Sequence, residues 1–194
     1  MSALAFIRIP GVPLVEPGAD LAALVEAALR AAGEIPADGD VVAVAQKIVS
    51  KAEGRIVRLD TVTPRPEAVD IAARANKDPR VVELILRESR TVVRVSPGVI
   101  ITEHNTGVTL ANAGIDRSNL PGSDDAALLL PLDPDASAAA LRARLESAFG
   151  VRLGVVITDS IGRPWRLGTV GTAIGCAGVQ ALNDVSFDLY PGEV

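Results

Sequence analysis

The sequence predicts an α+β fold of mixed α/β character, because apolar strand-like runs and amphipathic helical segments alternate along the chain. Of its 194 residues, 48% are hydrophobic and 22% charged, a composition that excludes intrinsic disorder. Helical periodicity is clearest at 135–149, and buried-strand patterns lie at 41–45 and 153–158. This length suits one domain of ordinary size or two small ones, with a core of Val, Leu, Ile and Ala.

The first half of the chain divides at Pro and Gly signals. Helical spacing of Leu21, Leu24, Val25 and Leu29 precedes Gly33, which fits a C-terminal stop. The predicted order is a strand at 3–9, a helix at 20–32, a buried strand at 41–45, a polar turn at 46–54, and helices at 66–76 and 79–88.

The second half begins with β-rich runs that are separated by turn signals at 97–98 and 105–107. An Ala-rich helix, capped by Asp135 or Ser137, precedes a strand that ends at Asp159. The predicted order is strands at 91–95, 99–103 and 108–111, a loop at 112–123, the helix at 135–149, the strand at 153–158, and a glycine-punctuated stretch at 162–178.

Composition also excludes several classes of function. The net charge of −5 and the absence of any Lys/Arg run argue against a nucleic-acid partner. No apolar stretch reaches membrane-spanning length and no secretory signal is visible, so we expect a soluble, cytoplasmic protein that contacts no membrane. With Cys176 and His104 as the only residues of their types, an intramolecular disulfide and a thiolate zinc cluster are excluded, and His104 is expected at the surface of a hairpin tip.

Two Asp-bearing loops are the best candidates for chemistry. Asp159 and Ser160 follow a buried strand, where α/β folds place ligand groups, and Arg163 and Arg166 come soon after. Asp116 lies in the other loop, 112–119, together with Asn119. If the loops meet, their hard oxygen donors suit Mg²⁺ or Mn²⁺ and substrate phosphates; alternatively, each forms an ordinary Asx turn with its arginines in water.

Lys47 and Lys51 follow the buried strand at 41–45 in a segment that contains Ser and Gly. This is a reasonable position for phosphate contacts, although no Walker loop is present. The alternative is a solvated lysine face.

Four segments together give a resemblance to a known family. They read VSKAEGR at 49–55, NAGIDRSN at 112–119, LPLDPDAS at 130–137 and VITDSIGRPWR at 156–166. In this order they resemble the coenzyme F420:γ-glutamyl ligase family, over about residues 5–181. The resemblance implies a fold with mixed sheets and a GTP-dependent ligase that adds L-glutamate to the deazaflavin precursor F420-0 through an acyl phosphate.

The resemblance also implies site residues, cofactors and assembly. Asp116 and Asp159 would be ligands of Mg²⁺ or Mn²⁺, with Ser160 near a second metal and K⁺ as a helper ion. The protein would form an intertwined homodimer. The residues expected to contact GTP are Pro10, Gly11, Val12, Pro13, Gln46, Lys47, Lys51 and Asn119. The family has an acidic residue at the place of Pro10 and small hydroxyl residues near Gln46 and Lys47, so this chain departs from the pattern there.

The end of the chain departs from the family as well. Family members continue past residue 194, so the ligase-like domain is expected to be incomplete at its C-terminus. Residues 1–181 are interpreted as this domain, and 182–194 as a divergent tail that is similar to the lead-in of a transport ATPase. The alternative to an active ligase is therefore a non-catalytic fragment that binds nucleotide or metal.

Overall fold

The computed structural model describes residues 4–118, 125–162 and 167–181. Within these ranges there are five α-helices and eight strands, and the strands form three small sheets. The helices are α1 (Leu21–Ala32), α2 (Gln46–Ala52), α3 (Pro66–Ala75), α4 (Pro79–Arg87) and α5 (Pro134–Phe149). The strands are β1 (Val41–Ala45), β2 (Ile56–Arg58), β3 (Ser89–Ser96), β4 (Val99–His104), β5 (Thr109–Ala111), β6 (Ala126–Leu128), β7 (Gly154–Gly162) and β8 (Thr169–Ala177).

The sheet β1-β7-β8 is mixed, which confirms the predicted α+β class. Strand β1 pairs in parallel with the first part of β7, from Val41 opposite Gly154 to Ala45 opposite Thr158. Beyond Thr158, β7 continues to Gly162 and stays paired with the antiparallel β8. The parallel part of β7 therefore ends level with the end of β1.

Most of the core in the described residues lies in two hydrophobic clusters. In the first, α5 packs against the β1-β7-β8 sheet and α1 packs against α5. In the second, α3 and α4 pack beside the antiparallel β3-β4-β5 sheet and the β2-β6 pair. Every helix in the described ranges is too short or too polar to traverse a bilayer.

Helix ends follow local chemistry. Asp20 caps α1, since its Oδ1 accepts a hydrogen bond from the Ala23 amide at 3.0 Å. Gly33 ends α1 at a φ of +74°, which confirms the predicted C-terminal stop. The predicted cap of α5 was wrong, because Asp133 accepts from the Ala136 amide at 2.9 Å. Asp135 instead accepts a hydrogen bond from the Cys176 amide at 2.8 Å and so ties α5 to β8.

Other local predictions were also wrong. Residues 4–9 form no strand and are mostly exposed, and 46–52 form helix α2 rather than a turn. Burial of the polar side chains of Gln46, Ser50 and Lys51 hides the periodicity of α2 from a hydrophobicity pattern. The glycine-punctuated stretch contains β8, and Asp159 lies within β7 because the antiparallel pairing continues past it.

His104 is buried rather than exposed at a hairpin tip. Its Nδ1 lies 2.9 Å from Thr106 Oγ1, and its Nε2 lies 3.6 Å from Glu88 Oε2. Glu88 also pairs with Arg55 at 2.6 Å. The histidine therefore belongs to a partly buried structural network, not to the surface.

Candidate active-site cleft

A cleft of about 450 Å³ lies where the two hydrophobic clusters meet. One side, next to β1 and β7, contributes the start of α2 and the later part of β7. The other side contributes the turn after β5 (Asn112–Gly114) and the link between α3 and α4. This size suits a small-molecule ligand. The lining residues that bear on chemistry are Gln46, Lys77, Asn112, Asp116, Arg117, Asp159 and Ser160.

The register of the mixed sheet explains how one wall is built. Ala45 pairs with Thr158, so the next residues, Gln46 on α2 and Asp159 on β7, emerge at the same sheet edge. Gln46 is buried, and its Oε1 accepts a hydrogen bond from Ser50 Oγ at 2.9 Å. The Ser160 amide donates to Asp159 Oδ1 at 2.8 Å. The side chain of Asp159 is thereby held at the end of the parallel pairing.

A strained turn delivers Asp116 to the same cleft. Asn112, Ala113 and Gly114 all have positive φ, at 52°, 51° and 68°. Such a run is costly for non-glycine residues and marks a turn that its surroundings hold in place. Immediately afterwards, Asp116 exchanges two backbone hydrogen bonds with Leu128, at 3.0 and 2.8 Å. The turn and this bridge fix the backbone of Asp116.

Lys47 is the direct partner of Asp116. Its Nζ lies 2.6 Å from Asp116 Oδ2 and donates to Ser118 Oγ at 3.0 Å, while the Ser118 amide donates to Asp116 Oδ1 at 2.7 Å. Burial opposes ionisation of Asp116, but the hydrogen bonds from Lys47 and Ser118 outweigh it, so the pKa of Asp116 lies below its ordinary value. The side chain of Asp116 is therefore held in place by hydrogen bonds, which also favour its ionised form.

Asp159 has the opposite shift. Burial raises its pKa, the Ser160 amide works against this, and the negative charge of Asp116 raises the pKa further. Both carboxylates line the same cleft, and the charge of Asp116 acts on Asp159. The two Asp-bearing segments that the sequence singled out are thus brought together.

Other predicted site residues lie elsewhere. Lys51 is 6% exposed on α2 and does not line the cleft. Pro10, Gly11 and Pro13 are exposed and Val12 is half-buried, in a segment without regular structure that also lies outside the lining. Asn119, Arg163 and Arg166 lie outside the described residues. The structure therefore places Gln46, Asp116, Asp159 and Ser160 in the cleft, with Lys47 bound to its edge.

Sequence reasoning missed two cations of the cleft. Lys77 lies in the link between α3 and α4, and Arg117 follows Asp116. Burial lowers the pKa of Lys77, and the positive charge of Arg117 lowers it further. The sequence offered one signal, since Lys77 is one of only three lysines in the chain.

Comparison with known proteins bears on what this cleft does. The family described as F420-0:Gamma-glutamyl ligase matches residues 11–190. The chain belongs to this family. The matched range takes in both Asp-bearing segments and ends inside the stretch 182–194, which lies outside the described residues.

Relatives named coenzyme F420:L-glutamate ligase match most of the chain. The protein of Methanopyrus kandleri is 49% identical over 199 residues, which cover 100% of this chain and 76% of the relative. The protein of Methanothermobacter thermautotrophicus is 46% identical and covers 93% and 71%. That of Halobacterium salinarum is 44% identical and covers 91% and 67%. Each relative is therefore longer than the part that this ligase-family chain matches.

The donors in the cleft fit a divalent cation. Asp116 and Asp159 supply carboxylate oxygens and Ser160 a hydroxyl, which are hard ligands. Within residues 4–118, 125–162 and 167–181, no cluster of three or more His, Cys, Asp or Glu is present that would cage a metal by itself. Mg²⁺ is commonly held by one or two carboxylates with substrate phosphates and water as further ligands. A cation that binds together with a nucleotide is consistent with this donor set.

Proposed function

We propose that the chain is a GTP-dependent ligase that forms an amide bond between L-glutamate and the deazaflavin precursor F420-0. The observation that carries the proposal is the pair Asp116 and Asp159, in one cleft of a chain from the F420-0:Gamma-glutamyl ligase family. Names of relatives such as the one from Methanopyrus kandleri support the choice of substrates. GTP, the divalent metal and K⁺ are parts of the proposal.

In this proposal Asp116 and Asp159 hold Mg²⁺ or Mn²⁺, with Ser160 beside a second metal. A bound divalent cation would neutralise negative charge on the phosphate oxygens as the phosphoryl group moves. Burial strengthens these interactions because it excludes water. The amide of Ser160 and the ammonium of Lys47 set the orientation of the two carboxylates.

The nucleotide is proposed to lie along the start of α2. Lys47 donates from its Nζ at the edge of the cleft, and Gln46 lines the wall beside Asp159. We propose that Lys47 and Gln46 contact the phosphates of GTP. The remaining proposed contacts are Lys51, Asn119 and the segment Pro10, Gly11, Val12 and Pro13.

The reaction is proposed to proceed in two steps. A carboxylate oxygen of F420-0 attacks the γ-phosphorus of GTP, which forms an acyl phosphate and releases GDP. The amine of glutamate then attacks the acyl carbon, loses a proton, and expels inorganic phosphate as the amide forms. Positioning and charge neutralisation are the requirements of such a transfer, and neither step needs a histidine or cysteine nucleophile.

An oxygen-transfer experiment tests the proposal. F420-0 labelled with ¹⁸O in the reacting carboxylate is incubated with the protein, GTP, MnCl₂, KCl and L-glutamate. We expect GDP, a product heavier by one glutamyl residue, and phosphate that carries one ¹⁸O atom. Product with unlabelled phosphate would overturn the acyl phosphate, and the absence of GDP and product would overturn the ligase.

The alternative of a non-catalytic fragment predicts a different result in the same samples. Calorimetry would then detect binding of GTP with Mn²⁺, while neither GDP nor glutamylated product accumulates. An Asp60→Asn variant serves as a matched control, because Asp60 is exposed, pairs with Arg58 and does not line the cleft.

We also propose that the protein assembles as a homodimer through its N-terminal segment. Leu4 and Phe6 are 82% and 92% exposed in an extended segment, and Ile7 and Leu14 are exposed as well. Exposed apolar side chains in such a run mark an interaction surface. Light scattering after chromatography tests this: Phe6→Ser with Ile7→Ser should yield monomers, whereas an unchanged dimer would exclude this segment as the interface.

A further inference from the structure

The two cations Lys77 and Arg117 line the cleft from different parts of the chain. Lys77 lies between α3 and α4, on the side of the second hydrophobic cluster, whereas Gln46 and Asp159 come from the β1-β7 side. Arg117 lies next to Asp116, and its charge acts on Lys77. The cleft thus has a cationic wall, which consists of Lys77 and Arg117.

Asp78 and Asp125 form ion pairs with another arginine, Arg80, and the positive charge of Arg117 also acts on Asp78. Asp78 Oδ2 lies 2.7 Å from Arg80 Nη2, and Asp125 Oδ1 lies 2.9 Å from Arg80 Nη1. In the part of the chain that the structure describes, no carboxylate forms an ion pair with Lys77. Lys77 is half-buried, so its ammonium loses hydration beside a second positive charge. A half-buried ammonium in this position favours a ligand that supplies negative charge.

On the basis of the proposed ligase function, we propose that Lys77 and Arg117 bind a carboxylate of one of the two acids that the enzyme joins. An Arg guanidinium offers a planar pair of donors that matches a carboxylate, and a Lys ammonium adds a point charge. The nucleotide phosphates are assigned to the start of α2 and the Asp116–Asp159 pair. The cationic wall binds one carboxylate of the acid and so holds the acid in position while another of its groups reacts.

This assignment makes Lys77 and Arg117 positioning residues for an acid substrate. Glutamate and F420-0 both carry carboxylates, so the two sources share one recognition chemistry. The two acids are distinguished by whether the Michaelis constant for glutamate or that for F420-0 rises when a cation is removed. A phosphate subsite would instead change the constant for GTP.

The test uses the variants Lys77→Met, Lys77→Arg and Arg117→Gln, with Arg74→Met as matched control. Arg74 is an exposed cation on α3 that pairs with Asp70 and does not line the cleft. KM and kcat are measured for GTP, F420-0 and glutamate, and calorimetry measures binding of each acid without turnover. Arg117 is exposed, so the Arg117→Gln variant keeps the test decisive if Lys77→Met fails to fold.

We expect Lys77→Met and Arg117→Gln to raise KM for the same acid by about ten- to a hundredfold, the loss of one charge-assisted hydrogen bond. KM for GTP should stay unchanged, and Lys77→Arg should restore part of the affinity. A rise confined to glutamate assigns the subsite to glutamate, and one confined to F420-0 assigns it to that acid. Either result supports the proposal.

Three results would overturn the proposal. They are a rise in KM for GTP alone, a fall in kcat with all three KM values unchanged, and effects no larger than those of Arg74→Met. Failure of the ligase proposal is recognised separately, because the wild-type protein would then form no product. In that case calorimetry decides: loss of acid binding in both variants supports the subsite, and unchanged or absent acid binding refutes it.

Discussion

Replacement of Gly114 by alanine tests how the turn before Asp116 is held. Gly114 has a φ of +68°, and a Cβ built there would lie 2.7 Å from Cγ and Cδ1 of Leu130, which is 1% exposed. An L-residue in the left-handed region costs about 1–2 kcal/mol. Forced overpacking of a buried side chain adds about 1–3 kcal/mol. The variant should therefore lose about 2–5 kcal/mol of unfolding free energy.

Gly98→Ala separates the two costs. Gly98 has a φ of +83°, but nothing lies within 4 Å of its added Cβ, so only the backbone cost of about 1–2 kcal/mol applies. Both variants are compared with the wild type by urea unfolding and by thermal melting. One kcal/mol corresponds to about 2–4 °C in Tm for a chain of this size, so Gly114→Ala should melt several degrees below Gly98→Ala.

A double variant identifies the contact that is responsible. Leu130→Ala removes the side chain that the new methyl group meets, so Gly114→Ala with Leu130→Ala should lose less than the sum of the single losses. The expected coupling is about 0.5–3 kcal/mol. Equal losses for Gly114→Ala and Gly98→Ala, or strict additivity in the double variant, would refute the reasoning.

Three further predictions concern the carboxylates. Asp116→Asn should weaken Mn²⁺ binding in calorimetry by at least about tenfold and reduce turnover, with Asp60→Asn as control; unchanged metal-dependent activity would contradict the role of Asp116. Asp159 has a raised pKa, so without metal its ionised form is disfavoured by folding and its contribution to stability falls as pH rises through that pKa. Since asparagine does not titrate, Asp159→Asn should gain unfolding free energy over the wild type from pH 4 to pH 7, and a constant difference would exclude this. Lys47→Met should raise the pKa of Asp116, followed by carboxyl NMR titration, because burial then acts without the ammonium; an unchanged pKa would show that Lys47 does not set it.

The elements that the sequence predicted best have strong local signals. Helix α1 has an Asp cap, an apolar stripe and a terminal glycine, and all three act within a few residues of the chain. Strand β1 and the start of β7 are short apolar runs, which indicate burial without any knowledge of pairing. Asp159 was found because it follows such a run, and Asp116 because it lies in a loop that contains Asn and Gly.

The features that sequence patterns missed depend on tertiary contacts. Whether β7 ends at Thr158 or continues through Asp159 is decided by its pairing with β8, whose glycines looked like loop residues. Lys77 enters the cleft because α4 packs against the turn after β5 (Asn112–Gly114), a placement that no local pattern encodes. His104 is buried next to Glu88, although the residues that follow it, 105–107, have the sequence pattern of an exposed turn.

The ion pair between Lys47 and Asp116 has a consequence for how the cleft is loaded. An ammonium 2.6 Å from the carboxylate already supplies the counter-charge that a divalent cation would bring. The folded chain therefore does not depend on a metal to offset the charge of Asp116. Under the proposed function, a divalent cation would exchange with Lys47 at Asp116, and the released ammonium would then be available to the phosphates of GTP. A single side chain would thus couple the proposed metal to the proposed nucleotide.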